Sequence, residues 1–270
     1  MFFHIISDIH LEYNPDVNSL QSFITKFPHS IKDIKNYNIL KNKNKILIIA
    51  GDIGYPTSSN YFEFLKDCCL YYQYVIFTSG NHEYYHGEYH LINNIIETES
   101  IKVPNLIFLL NKTFILDNYK FIGTTLWTKI HPREKLYLKG NSNDYNFIKF
   151  NEKYLDIDDT NSLNENQYNF ILNELQKPNI EKNQKNIVIS HHLPSQQLID
   201  EKYLKYGSIN KLFYTNYEEL FVKENININA WICGHSHSKS LKTINKTKLI
   251  LNPFGYKNEN INNSILEIEL

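Results

Sequence analysis

An α/β fold follows from three features of this chain. Strand-like apolar runs alternate with stretches of helical periodicity along most of its length. Several of these runs, such as Lys45–Ala50 with Ile46, Leu47, Ile48 and Ile49, are continuously β-branched or leucine, as in a strand covered on both faces. Residues that bind divalent metals stand just beyond several of the runs, where the strand ends of an open sheet form a ligand crevice. At 270 residues with 42% hydrophobic content, the chain suits one large domain over residues 1–270 with an ample core. No domain boundary or internal repeat interrupts it.

In order, Phe2–Ser7 reads as a short buried strand, followed by helical periodicity between about Ser19 and Tyr37. After the strand Lys45–Ala50, Ser58–Tyr72 reads as a helix with Phe62, Leu65 and Cys69 on one face and Ser58 or Ser59 as N-cap. Tyr74–Thr78 is the third strand, Glu88–Glu97 a helix and Leu106–Leu109 the fourth strand. Lys112–Leu116 and Lys120–Gly123, separated by a turn with Asp117-Asn118, form a hairpin. The segment from about Leu126 to Thr160 shows no clear period and is long for a loop inside a compact domain. It reads as a site-lining insertion near residues 126–160, with Trp127, Arg133, Tyr137 and Tyr145 as wall residues. Asn164–Gln176 is a helix, Asn186–Ser190 a strand, Asn216–Glu224 a helix and Ala230–Cys233 a strand. Ser240–Ile244, Lys248–Leu251 and Ile265–Leu270 close the chain as strands.

Bulk properties narrow the function. The net charge is −1 and Arg133 is the single arginine, so no global field favours nucleic acid or an anionic membrane. Cys68, Cys69 and Cys233 are odd in number and not spaced as a disulfide framework or as Cys-x-x-Cys zinc ligands, which suits a reducing compartment. The apolar run Met1–Ile6 is too short for a signal segment and no run is long enough to span a membrane. A soluble cytoplasmic protein is the expectation; its oligomeric state is open.

Five strings carry the chemistry: Asp8-Ile9-His10, Gly51-Asp52, Gly80-Asn81-His82-Glu83, His191-His192 and Gly234-His235-Ser236-His237. Asp8 and His10 are two apart, so on an extended backbone both reach one ion. Gly51 permits a sharp turn out of the sheet, and the carboxylate of Asp52 can bridge two ions. Asn81 offers an amide oxygen; His235 and His237 repeat the spacing of Asp8 and His10. Each string alone is commonplace. Together they gather six of the 11 histidines behind strands, which argues for one metal centre assembled by the whole fold. His4, His29, His86, His90 and His131 are left to core or surface roles, although His86 and His90 follow Asn81-His82 closely enough to line the site.

This order of strings resembles the calcineurin-like metallophosphoesterase superfamily, from Asp8 to His237. Leu126-Trp127-Thr128, Asn143-Asp144-Tyr145, His191-His192-Leu193-Pro194-Ser195 and Asn252-Pro253-Phe254-Gly255-Tyr256 are similar to strings of small stand-alone, bacterial-type members. Phe254 stands where those members have arginine, which opens the question of substrate preference. The resemblance implies a four-layer α/β/β/α sandwich of two mixed β-sheets flanked by helices, with the metal site at the strand C-terminal ends. It implies one ion held by Asp8, His10, Asp52 and His237, and a second by Asp52, Asn81, His191 and His235. Of the adjacent pair, His191 follows its strand more directly and is the preferred ligand; the two could exchange, and His192 would then face substrate or support the ligands. Mixed nitrogen and oxygen donors suit Mn, Fe or Zn without choosing among them. The implied reaction is hydrolysis of a small phosphomonoester or phosphodiester by a hydroxide bridging the two ions, with His82 assisting the leaving group. Glu83 would be structural or accept an imidazole N–H. Two alternatives remain: a non-catalytic binding scaffold of the same fold, and a nuclease, which the charge balance disfavours.

Overall fold

The computed structural model describes residues 1–28, 45–181, 183–259 and 264–270. It is a four-layer α/β/β/α sandwich. The first sheet contains β1 (Phe2–Ile6), β2 (Lys45–Ala50), β3 (Tyr74–Thr78), β4 (Leu106–Phe108) and β13 (Leu266–Glu269), in the order β13-β1-β2-β3-β4. The second contains β5 (Lys112–Leu116), β6 (Tyr119–Gly123), β9 (Lys185–Ile189), β10 (Ala230–Cys233), β11 (Ser240–Ile244) and β12 (Thr247–Leu251), in the order β11-β12-β10-β9-β6-β5. Both sheets are mixed: β1 to β4 and the inner strands β6, β9, β10 and β12 run parallel, while β13, β5 and β11 pair antiparallel at the edges.

The continuous apolar strands are explained by this layering. Along β2, Ile46, Ile48 and Ala50 point between the sheets, while Leu47 and Ile49 point toward the helices. Strand β10 divides likewise, with Ala230 and Ile232 between the sheets and Trp231 and Cys233 against the other helical layer. A period of two with both faces buried leaves no polar alternation to see. Helices α1 (Leu20–Lys26), α2 (Ser59–Tyr71) and α3 (Tyr89–Ser100) cover the first sheet. Helix α6 (Ile157–Gln176) and the short α7 (Glu219–Val222) cover the second.

Several sequence expectations change. Helix α1 ends at Lys26; the Ser19–Tyr37 periodicity beyond Pro28 lies outside the described residues, as does His29. The segment 126–160 is structured, holding α4 (Lys135–Lys139), α5 (Asp144–Phe147) and a hairpin of β7 (Lys149–Phe150) and β8 (Lys153–Tyr154). Helix α6 begins at Ile157, seven residues before Asn164, behind a capping box of Asp156 and Asp159. Several of its early positions are polar because they serve a loop: buried Gln167 Oε1 accepts the Trp127 N–H at 2.9 Å and half-buried Asn161 Oδ1 accepts that of Ile130 at 2.7 Å. The helix expected over Asn216–Glu224 shrinks to α7, and Glu201–Leu212, unassigned in sequence, is 3₁₀-helical with a kink at Gly207.

Candidate metal centre

The donors converge beyond the C-terminal ends of strands from both sheets. Asp8 and His10 follow β1, Asp52 follows β2, Asn81 follows β3, His191 follows β9, and His235 and His237 follow β10. The loops are lashed together by backbone bonds: Asp8 N–H to the Gly51 carbonyl at 3.0 Å, His10 N–H to Asp52 at 3.1 Å, and Gly234 N–H to His191 at 3.0 Å. Asp8, His10, Asp52, His235 and His237 all sit at positive φ, between 49° and 70°. Left-handed backbone at non-glycine residues is costly and persists only where surroundings over-determine it, which marks this as a site held against local preference. Two glycines leave room for it. A Cβ on Gly80 would collide with Asp52 Oδ1, and one on Gly51, at φ +82°, would lie 2.5 Å from His191 Nδ1.

Three overlapping donor groups form. Asp8, His10 and His237 present ligand atoms within 4.8 Å of one another, and so do Asp52, His191 and His235, and His10, Asp52 and His82. Asp52 Oδ2 lies 3.8 Å from His10 Nε2 and 3.3 Å from His191 Nε2, between the groups, while its Oδ1 accepts the His82 N–H at 2.9 Å. Asn81 Oδ1 is 3.1 Å from His191 Nε2. The amide is oriented by Asp144, whose Oδ1 accepts from Asn81 Nδ2 at 2.8 Å and leaves the amide oxygen turned to the cluster.

Proton accounting tests whether these residues fit metal ions. His10 Nδ1 donates to Glu12 Oε1 at 2.9 Å and His237 Nδ1 to Glu259 Oε2 at 2.6 Å. Their other nitrogens then face each other at 3.0 Å with lone pairs opposed. His191 Nδ1 donates to the Ala50 carbonyl at 2.9 Å, so its Nε2 turns a lone pair toward Asn81 Oδ1, Asp52 Oδ2 and His235 Nδ1, the last at 3.1 Å. Facing acceptors at this separation need a proton or a metal ion between them, and imidazoles backed by a carboxylate or carbonyl are the usual arrangement of metal-ligating histidine. The residues fit two ions. The field favours positive charge at both groups: burial opposes charge on the rings, yet Asp52 raises His191 to about 9, and Asp8 with Glu259 raises His237 to about 10, so protons hold these places when no metal ion does. Burial would raise Asp52 as well, but His191, His82 and His10 outweigh it and hold the carboxyl well below its usual range.

The remaining residues support the donors. His192 takes the supporting position: its Nδ1 faces the Thr125 carbonyl at 3.4 Å, and its ring packs 4.3 Å from that of His235 and 5.3 Å from that of Trp127. Glu83 accepts no imidazole N–H; it takes backbone N–H groups of Asp52 at 3.1 Å, Ile53 at 2.7 Å and Gly80 at 2.6 Å, tying two metal loops together. The carboxylate beside His82 is Glu12, whose buried Oε1 accepts from His82 Nδ1 at 2.8 Å as well as from His10. Its signal in the sequence was the proximity to His10, which alone assigns nothing. Burial opposes protonation of His82, but Asp52 and Glu12 raise it above the ordinary histidine value. His82 Nε2 meets the Tyr256 hydroxyl at 3.1 Å, and both side chains line a cavity of about 470 Å³.

The wall residues are also corrected. Asn141, Ser142, Asn143 and Asp144 line the cavity, whereas Trp127 and Tyr145 are buried in the core and Arg133 and Tyr137 are exposed elsewhere. His86 and His90 are exposed and pack on Phe147 and Phe150, outside the cavity. One spacing passed over in sequence, His82-Glu83-Tyr84-Tyr85-His86, has the His-Glu-x-x-His pattern of helical zinc sites. Here it is no α-helix: a 3₁₀ turn ends at Tyr84 and His86 sits at φ 61°, so the two histidines do not share a face. Phe254 is buried edge-on against Phe23 and Phe27, so this position packs the sheet end to α1 rather than facing the cavity.

Two mixed sheets packed face to face thus share a mixed nitrogen and carboxylate cluster at their strand ends, the mark of a metal-binding α/β sandwich. The family model described as calcineurin-like phosphoesterase matches residues 1–239, and the chain belongs to that family. An uncharacterized protein of Acanthamoeba polyphaga mimivirus is 30% identical over 278 residues, covering 95% of this chain and 92% of that protein. Among solved structures, the phosphopantetheinyl hydrolase of Mycobacterium tuberculosis superposes with TM-score 0.65 at 15% identity, over 95% of this chain and 90% of that one. The protein TT1561 of Thermus thermophilus gives TM-score 0.52 at 10% identity, over 93% and 88%. At these identities the two structures speak for the fold.

Proposed function

We propose that this chain hydrolyses a small phosphate ester with two metal ions. One is held by Asp8, His10, Asp52 and His237, and the other by Asp52, Asn81, His191 and His235. Manganese, iron or zinc would suit this donor set. When bound, the ions supply positive charge to the phosphoryl oxygens and an activated water as nucleophile. Asp52 Oδ2, lying between the donor groups, sets their spacing. Asp144 keeps the Asn81 oxygen aimed inward. His82 then protonates the leaving oxygen: Glu12 holds Nδ1, and Nε2 is left to donate toward the cavity, where the Tyr256 hydroxyl now marks the direction. The position of His82, within reach of His10 and Asp52 but with both nitrogens taken by Glu12 and the Tyr256 hydroxyl, is the observation that carries this reading.

Metal analysis combined with hydrolysis of bis(p-nitrophenyl) phosphate and p-nitrophenyl phosphate tests it. Asp52→Asn should lose metal and activity together. His82→Ala should keep metal and lose about 10²–10⁴-fold in turnover on an ester with a poor leaving group. Full activity of His82→Ala on such an ester would refute the acid role. Bound metal without turnover of any ester would favour the non-catalytic scaffold. Buried, unpaired Cys68, Cys69 and Cys233 support a reducing, cytoplasmic location. Among the described residues no helix is long and apolar enough to cross a membrane.

A further inference from the structure

The cavity beside the centre is asymmetric, and its asymmetry bears on substrate class. At one end stand His82 and Tyr256, on the His10 side of the cluster, with Tyr85 stacked on His82 at 4.3 Å. At the other stands His235, on the His191 side, with the Phe213 ring 4.8 Å away. From Phe213 the wall continues through Leu212, Ile209, Tyr206 and Tyr203, along the kinked 3₁₀ stretch. Neutral Asn141, Ser142 and Asn143 also line the cavity. Two carboxylates complete the lining, Asp144 beside Asn81 and Glu259 beside His237, and no lysine or arginine offsets them among the described residues.

We infer that the substrate is a phosphodiester carrying one uncharged, apolar or aromatic organic group, which lies against the Tyr203–Phe213 wall. The inference rests on the phosphoesterase reading above. With the leaving group at His82, a monoester has one more anionic oxygen than a diester to turn toward the far end, where Phe213, Leu212 and Ile209 cannot solvate it. A diester places its second organic group there and buries it instead. A diester is also monoanionic, so it asks for less positive charge from a lining without lysine or arginine among the described residues.

Three esters with one leaving group test this on the manganese-loaded protein: p-nitrophenyl phosphate, methyl p-nitrophenyl phosphate and phenyl p-nitrophenyl phosphate. The expected order of kcat/KM is phenyl diester, methyl diester, monoester, with the phenyl diester about tenfold or more above the methyl diester. Tyr206→Ala, at an exposed position, and separately Ile209→Ala should erase most of that phenyl preference. A monoester at least as fast as either diester, or equal rates for the two diesters, would overturn the inference and leave the hydrolase reading standing. If none of the three is turned over, the hydrolase reading falls, and calorimetric binding decides this inference separately. Benzyl methylphosphonate, a monoanion with an aromatic group, should bind about tenfold or more tighter than methylphosphonate. Equal or weaker binding would overturn it.

Discussion

The residue that most changes the picture of the centre is Glu12, because one carboxylate oxygen accepts from both His10 and His82. Its Oε2 is buried without a partner, so the charge is directed at the two imidazoles. Glu12→Gln keeps the shape but removes that charge. We expect kcat to fall about 10- to 100-fold with KM within roughly threefold, and Glu12→Ala to be worse than Glu12→Gln. Steady-state kinetics with metal analysis of both variants checks this; a change confined to KM would count against a positioning role. Residue-scale chemistry was partly legible. The donor types of Asp8, His10, Asp52, Asn81, His191, His235 and His237 could be read from strings after strands, since the chemistry belongs to the residue itself. Glu12, Asp144 and Tyr256 could not be given roles, because their significance lies in what they touch across tens or hundreds of residues.

At the scale of elements, packing decides where the strand ends point. Phe254 lies on the loop after β12 and wedges against Phe23 of α1 at 4.8 Å. Phe254→Ala should destabilise the protein by about 3–5 kcal/mol in denaturant melts; because the ring faces the helix, kcat should change less than twofold. A second element-level device sits at the start of β1, where His4 is buried with Nδ1 against the Tyr72 hydroxyl at 2.8 Å and Nε2 against Glu267 at 2.9 Å. Burial, aided by Lys45 and opposed by Glu267, lowers its pKa below the ordinary value of 6.5. The unfolded chain therefore takes up the proton first on acidification. Stability contributed by neutral His4 should be present above pH ~6.5 and decline as pH falls toward the lower folded-state value. Urea melts between pH 5 and 7 should show this slope, and His4→Gln should flatten it. Strands were the readable elements, because burial on both faces writes an unbroken apolar run. The onset of α6 was not, because its first turns bury polar Thr160, Asn164 and Gln167, the last two bonded to the loop at Trp127, and leave no apolar stripe.

For the whole molecule, the donors come from β1, β2 and β3 of one sheet and β9 and β10 of the other, so the centre exists only when both sheets are packed. Metal should therefore bind the folded state and stabilise it. Manganese at one hundred times its dissociation constant should add about 2.7 kcal/mol to the unfolding free energy, seen as a raised Tm by calorimetry. Asp52→Asn should abolish most of that increment, since it removes the carboxylate shared by both groups. An unchanged Tm on metal addition would contradict the two-ion centre. What the sequence determined by itself was the alternation of buried strands and helices, and the kinds of donor placed after them. Both are carried by local pattern: side-chain period and residue chemistry need no partner to be read. Only the tertiary structure decided that Asp52 Oδ2 lies between two histidine groups, that His191 rather than His192 joins them, and that Glu12 rather than Glu83 holds His82. Those are facts of orientation. They are set by left-handed backbone at the ligands and by contacts between loops distant in sequence, which no local pattern encodes.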